Sequence, residues 1–126
     1  MKRGLTANGG GLLRLPHRVS YHFAMELVFT GRMLPAPEAA ELHLVNRLAE
    51  PGGALQAALD LADEIAKNAP PALCASKHVL VNSVDWAVDE KFSRQQEHVA
   101  VIRTSNDAAE GARAFVEKRE PIWSGT

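Results

Sequence analysis

A single cysteine, Cys74, stands in a chain of 126 residues. No disulfide can therefore close within the chain, and no Cys/His spacing of a structural zinc site exists. Charge of one sign is also missing, because 14 Lys+Arg against 15 Asp+Glu leave a formal net charge of −1. The basic residues are scattered and form no stripe, so no electrostatic footprint for nucleic acid or an anionic bilayer is present. No apolar run approaches the length of a membrane-spanning helix, and none of signal-peptide length follows Lys2 and Arg3. A soluble, cytoplasmic protein is the expectation, with no membrane and no nucleic acid as partner. Internal repeats and low-complexity segments are absent as well. Cys74, inside an apolar stretch, reads as a small buried hydrophobe and not as a nucleophile, since no histidine is placed to activate it.

What is present is a moderate apolar fraction of 46%, enough for one soluble domain with a modest core. The first eleven residues hold Gly4, Gly9, Gly10 and Gly11 with Asn8 among them, a composition that resembles an internal loop more than a chain start. Leu12, Leu13 and Leu15 follow, and Pro16 interrupts any helix begun there. A helix is predicted from Ser20, as cap, to Phe29, with Phe23, Leu27 and either Ala24 or Val28 on its apolar side and Thr30-Gly31 at its end. A short helix from Ala36 to Leu42 tolerates Pro37 in its first turn. Leu44 to Leu48 reads as a short extended segment, closed by the turn Pro51-Gly52-Gly53.

Helical periodicity then dominates. Leu55, Ala58, Leu59, Ala62, Ile65 and Ala66 form an amphipathic stripe ending near Asn68. Pro70-Pro71 breaks that helix and opens another through Leu73, Lys77, Leu80 and Val81. Asp85 is the expected cap of a longer helix carrying Phe92, Val99 and Ile102. Asp107 with Glu110 has the spacing of a capping box for a last helix through Ala114, Phe115 and Lys118. The composite is mostly α with at most one short strand. Such a strand has no sheet to join within this chain, so its hydrogen-bonding partners would have to come from elsewhere.

Three segments, taken in order, resemble the second half of crotonase-family (enoyl-CoA hydratase/isomerase) proteins. Gly4 through Pro16 resembles the family's glycine-rich loop and the helix it opens. Ala24-Met25-Glu26-Leu27 with Thr30-Gly31, Glu38 to Leu42 and Leu44-Val45-Asn46 is similar to a second family block. Asn106 to Arg119, with Asp107, Glu110-Gly111 and Ala114-Phe115-Val116-Glu117-Lys118-Arg119, is similar to the family's closing helix. The resemblance implies the C-terminal helical part of the ClpP/crotonase fold. Residues 1–50 would then be a remnant of the crotonase core and residues 51–126 a C-terminal helical assembly domain. His43 departs from the pattern, since the family has glycine there; histidine takes a left-handed conformation less easily, so mild strain or a changed turn is expected.

By the same resemblance the substrate class is an acyl-CoA thioester, with no separate cofactor and no metal. Asn8, Gly9, Gly10 and Gly11 would line the acyl and pantetheine pocket, or else form a flexible N-terminal tail. Phe115 would lie near the adenine and Lys118 would meet a phosphate; alternatively Phe115 is core and Lys118 belongs to a solvated charged run. The oxyanion hole and both acid/base glutamates of the hydratases fall, in the family, before the glycine-rich loop. The expectation is therefore a truncated chain without catalytic residues of its own, inactive alone. No other set of acids replaces them: Glu26, Glu38 and Glu41, like Asp60, Asp63 and Glu64, read as solvated faces, and His17, His22, His78 and His98 have no partner at a telling spacing. The competing reading is a non-catalytic helical module that forms a homo-oligomer, a trimer or a dimer of trimers, as the family's C-terminal helices do.

Overall fold

The computed structural model describes residues 2–126 and is built from helices. In chain order these are α1 (Gly11–Arg14), α2 (Tyr21–Thr30), α3 (Ala36–Glu41), α4 (Ala54–Ala66), α5 (Pro70–Asn82), α6 (Lys91–Val99) and α7 (Asn106–Glu117). Short 3-10 turns cover Leu15–His17, Ser83–Asp85 and Val101–Thr104. Among the described residues there is no strand, and Leu44 to Leu48 is bends and irregular chain. The β-branched and leucine content of that segment favours extension, but without a neighbouring edge no ladder can form. No described helix is long and apolar enough to cross a membrane. The chain forms two compact units, Met1–Ala58 and Leu59–Thr126, whose division falls within α4.

In the first unit local chemistry sets several helix boundaries. Ser20 caps α2, its hydroxyl accepting from the Phe23 N–H at 3.4 Å, and Gly31 ends the helix in the left-handed conformation with φ 58°. Arg32 then folds back: its guanidinium holds both carboxylate oxygens of Glu38, and it lies 5.3 Å above the Phe23 ring. Glu38 was expected on a solvated face, and instead it ties the start of α3 to the end of α2. Helix α3 ends in a Schellman turn. The His43 N–H donates to the Ala40 carbonyl and the Leu44 N–H to the Ala39 carbonyl, both at 2.9 Å. Closing that turn puts His43 at φ 54°, the left-handed region that a side chain disfavours. The strain expected at this position is present.

In the second unit, Pro70 and Pro71 begin α5 as the sequence implies, since their missing N–H groups are unneeded there. Asp85 does not cap α6. It closes a 3-10 turn, and α6 begins only at Lys91 with Glu90 before it. Nor do Asp107 and Glu110 form a capping box. Ser105 is the cap of α7, its hydroxyl accepting from the Ala108 N–H at 3.0 Å, which places both acids two residues further into the helix.

Little of this chain's apolar surface is covered. Among the described residues the buried hydrophobic side chains are Ala24, Ala39 and Ala114. Met33, Val88 and Phe115 are each more than four-fifths exposed, at 88%, 87% and 85%. Cys74, expected to be buried, is exposed on α5. The accessible surface is 10112 Å². A compact protein of this mass exposes roughly 6,500 Å², and two separate compact bodies of half the mass roughly 8,000 Å². Exposed large apolar side chains, on helices and between them, contribute to that excess.

Candidate functional site

The glycine-rich segment Asn8–Gly11 lies in the first unit and is solvent-facing, with Gly10 half-buried. Only Gly10 of its glycines needs to be glycine on backbone grounds: at φ 88° it is the N-terminal cap of α1. Arg14 curls back along the loop, donating to the Gly9 carbonyl at 2.8 Å and the Gly10 carbonyl at 3.4 Å. Asn8 closes a tight turn by donating its N–H to the Thr6 carbonyl at 3.0 Å. The segment is a structured turn into α1. No side chain lies within 4 Å of where a Gly9 Cβ would be, so a ligand can approach this backbone closely.

Phe115 and Lys118 lie in the second unit. Phe115 is exposed in the last turn of α7, and no side chain of this chain covers it. Lys118 is not on the helix. It is the left-handed residue of a second Schellman turn, with φ 52°; its N–H donates to the Phe115 carbonyl at 3.3 Å, and the Arg119 N–H donates to the Ala114 carbonyl at 3.1 Å. The helical-face relation expected between the two side chains is therefore replaced by a turn.

Around α7 the structure assembles residues that sequence reasoning did not connect. Asp107 is 2% exposed, yet fully partnered. Its Oδ1 accepts from the Ser124 N–H at 2.7 Å and the Ser124 hydroxyl at 2.8 Å, and its Oδ2 accepts from the Gly125 N–H at 3.0 Å. Burial, the largest influence, pushes this carboxyl upward, but the bonds from Ser124 and Gly125 together hold it below its ordinary value. Glu110 accepts both guanidinium nitrogens of Arg119, at 2.6 and 3.1 Å, and the Ile122 N–H at 3.0 Å. Arg119 first, and then Ile122, hold the Glu110 carboxyl down to about 2. Trp123 completes the strap. Its indole N–H donates to the Lys67 carbonyl at 2.7 Å, and its ring passes 3.4 Å from where a Cβ on Gly111 would sit. The glycine of the Glu110-Gly111 pair is thus the seat of an indole.

A second grouping lies between α5 and α6. His78 and Asn82 face Glu90, Arg94, Glu97 and His98 across an open groove of about 510 Å³, with Trp86 and Ser93 also on its wall. The His78 and His98 rings are 4.0 Å apart, centroid to centroid, and Trp86 stacks 6.1 Å from His98. Arg94 and Glu90 pair at 2.8 Å. Periodicity on α6 would have put Arg94 and His98 on one face, but nothing in the sequence brings His78 to it.

The profile of the enoyl-CoA hydratase/isomerase family matches residues 1–126. A carnitinyl-CoA dehydratase of Salmonella arizonae is 36% identical over 128 residues, covering 98% of this chain and 49% of that protein. The crystal structure of an enoyl-CoA hydratase from Mycobacterium tuberculosis H37Rv superposes with a TM-score of 0.94 at 54% identity, over 99% of this chain and 50% of that one. An enoyl-CoA hydratase from Bacillus anthracis gives 0.92 at 29% identity, with 99% and 48% covered. The chain thus spans about half the length of the relatives it matches. With the whole sequence matched by the family profile, this chain belongs to the enoyl-CoA hydratase/isomerase family.

Proposed function

We propose that this chain is the C-terminal half of an enoyl-CoA hydratase-type protein, supplying coenzyme A contacts and subunit contacts while the acid/base groups come from other sequence. Residues 1–50 would be the remnant of the core and residues 51–126 the assembly domain. The observation that carries this reading is the uncovered apolar surface, which has the character of a core cut open. The reaction of the complete site would be addition of water across the 2,3 double bond of an enoyl-CoA thioester. Asn8–Gly11 would admit the acyl-pantetheine arm to an open backbone, Phe115 would stack near the adenine, and Lys118 would meet a phosphate. The chain would form a homo-oligomer, a trimer or a dimer of trimers.

The carboxylates support the view that the chain alone lacks the chemistry. A hydratase needs an acid that is protonated near neutral pH to deliver a proton to carbon. Here Arg32 lowers Glu38, Ser124 and Gly125 lower Asp107, and Arg119 lowers Glu110, each shift running the wrong way for that task. Incubated with a short 2,3-enoyl-CoA, the purified chain is expected to leave the absorbance of the conjugated thioester unchanged. Turnover that scales with protein and disappears on replacing one of its own carboxylates would sink this reading.

A further inference from the structure

We propose that His78 and His98 form a two-imidazole site for a divalent transition-metal ion, clamping α5 to α6. The two rings come from neighbouring helices and stand 4.0 Å apart with planes tilted by 46°. A metal sits about 2.0–2.1 Å from an imidazole nitrogen, which sets two adjacent ligand rings roughly 4.5–5 Å apart at their centroids. The pair therefore has to open by about 1 Å or less, and it borders an open groove that leaves the side chains room to do so.

The surrounding charge selects a cation over an anion. Glu90 and Glu97 line the groove against the single guanidinium of Arg94, a balance of one negative charge before the imidazoles are counted. The Arg94–Glu90 pair at 2.8 Å also engages the one guanidinium that would otherwise repel a metal ion. Imidazole donors select copper, zinc or nickel over magnesium or calcium, which require oxygen ligands. No cluster of three or more His, Cys, Asp or Glu ligands occurs among the described residues, so water fills the remaining positions. The arrangement suits an open, exchangeable site rather than a closed structural one. The Trp86 ring lies near-parallel to His98 with centroids 6.1 Å apart, an apolar neighbour of that ligand.

The test uses the full chain with His17, His22 and His43 changed to glutamine, so that the pair is the only imidazole source. Copper(II) or zinc(II) alone is titrated at neutral pH, and binding is followed by calorimetry, with copper also read by electron paramagnetic resonance. One equivalent is expected, with two nitrogen ligands in the copper spectrum and a higher thermal midpoint in the presence of metal. His78→Ala and His98→Ala should each weaken binding at least about tenfold and leave one nitrogen. The gentler His78→Gln and His98→Gln variants should do the same with unchanged helical content. Absence of one-to-one binding, or affinity that survives loss of either ring, would overturn the site. Neither result bears on acyl-CoA hydration, which is tested separately.

Discussion

Asp107→Ala is expected to release the C-terminal strap and to lower the thermal midpoint by roughly 5–10 °C. The carboxylate holds the Ser124 N–H, the Ser124 hydroxyl and the Gly125 N–H at the start of α7, where a negative charge also complements the helix end. Alanine removes every acceptor at once from a site whose carboxylate is buried, although Ser124 and Gly125 themselves lie at the surface. Asp107→Asn keeps one carbonyl oxygen but turns an N–H toward the Gly125 donor, so it falls between parent and alanine. Hydrogen exchange should report the same event locally, with faster exchange at Ser124 and Gly125 and little change in α2.

The same residues give the acid response a definite sign. Asp107 and Glu110 are both held below their ordinary values in the folded chain. Their contribution is therefore complete above the unfolded carboxyl range near pH 4. It declines as pH falls below that range and is lost as pH passes through the folded values, which for Glu110 means about 2. Denaturant midpoints measured between pH 5 and 2 should fall steadily in the parent. The fall should be shallower in Asp107→Ala, which has already lost one of the two contributions.

Lys118→Gly is expected to move stability and coenzyme A affinity in opposite directions. Lys118 holds φ 52° to close the Schellman turn of α7, a conformation that costs a side chain about 1–2 kcal/mol and costs glycine little. Glycine should therefore raise the unfolding free energy by roughly 0.5–1 kcal/mol, after allowance for the added freedom of the unfolded chain. If Lys118 meets a phosphate, the same substitution should weaken acyl-CoA binding about tenfold at low salt, and the loss should shrink as ionic strength rises. His43→Gly provides the comparison: the same turn geometry and the same gain in stability are expected, with no loss of affinity. A Lys118→Gly protein that is more stable and binds acyl-CoA as well as the parent would remove the lysine from the site.

The parts of this fold that were legible in the sequence are those fixed by neighbouring residues. Ser20, Gly31, Pro70 and Pro71 set helix ends through bonds and torsions that span one turn, and their chemistry reads directly from residue type. Asp107 and Glu110 were misread because their spacing imitates a capping box. Their partners are Ser124, Gly125, Arg119 and Ile122, beyond the helix, where no periodic pattern reaches. The His78–His98 approach has the same cause, since the helix crossing that creates it is a property of packing. Burial at Cys74 is overturned for a different reason, and Phe115, left open between core and ligand contact, is exposed. An apolar residue type states a preference for cover but not whether cover is available, and here the chain exposes both. The glycine segment was half legible: Asn8 to Gly11 form a turn with an accessible backbone, while the conformational need for glycine is confined to Gly10.

Uncovered apolar side chains on this scale have a direct consequence in solution, because apolar surface without a partner drives association. The decisive measurement is the mass of the purified chain by light scattering after size exclusion, at micromolar concentration. A defined oligomer is predicted, a trimer or a dimer of trimers. A monodisperse, folded monomer would contradict the account.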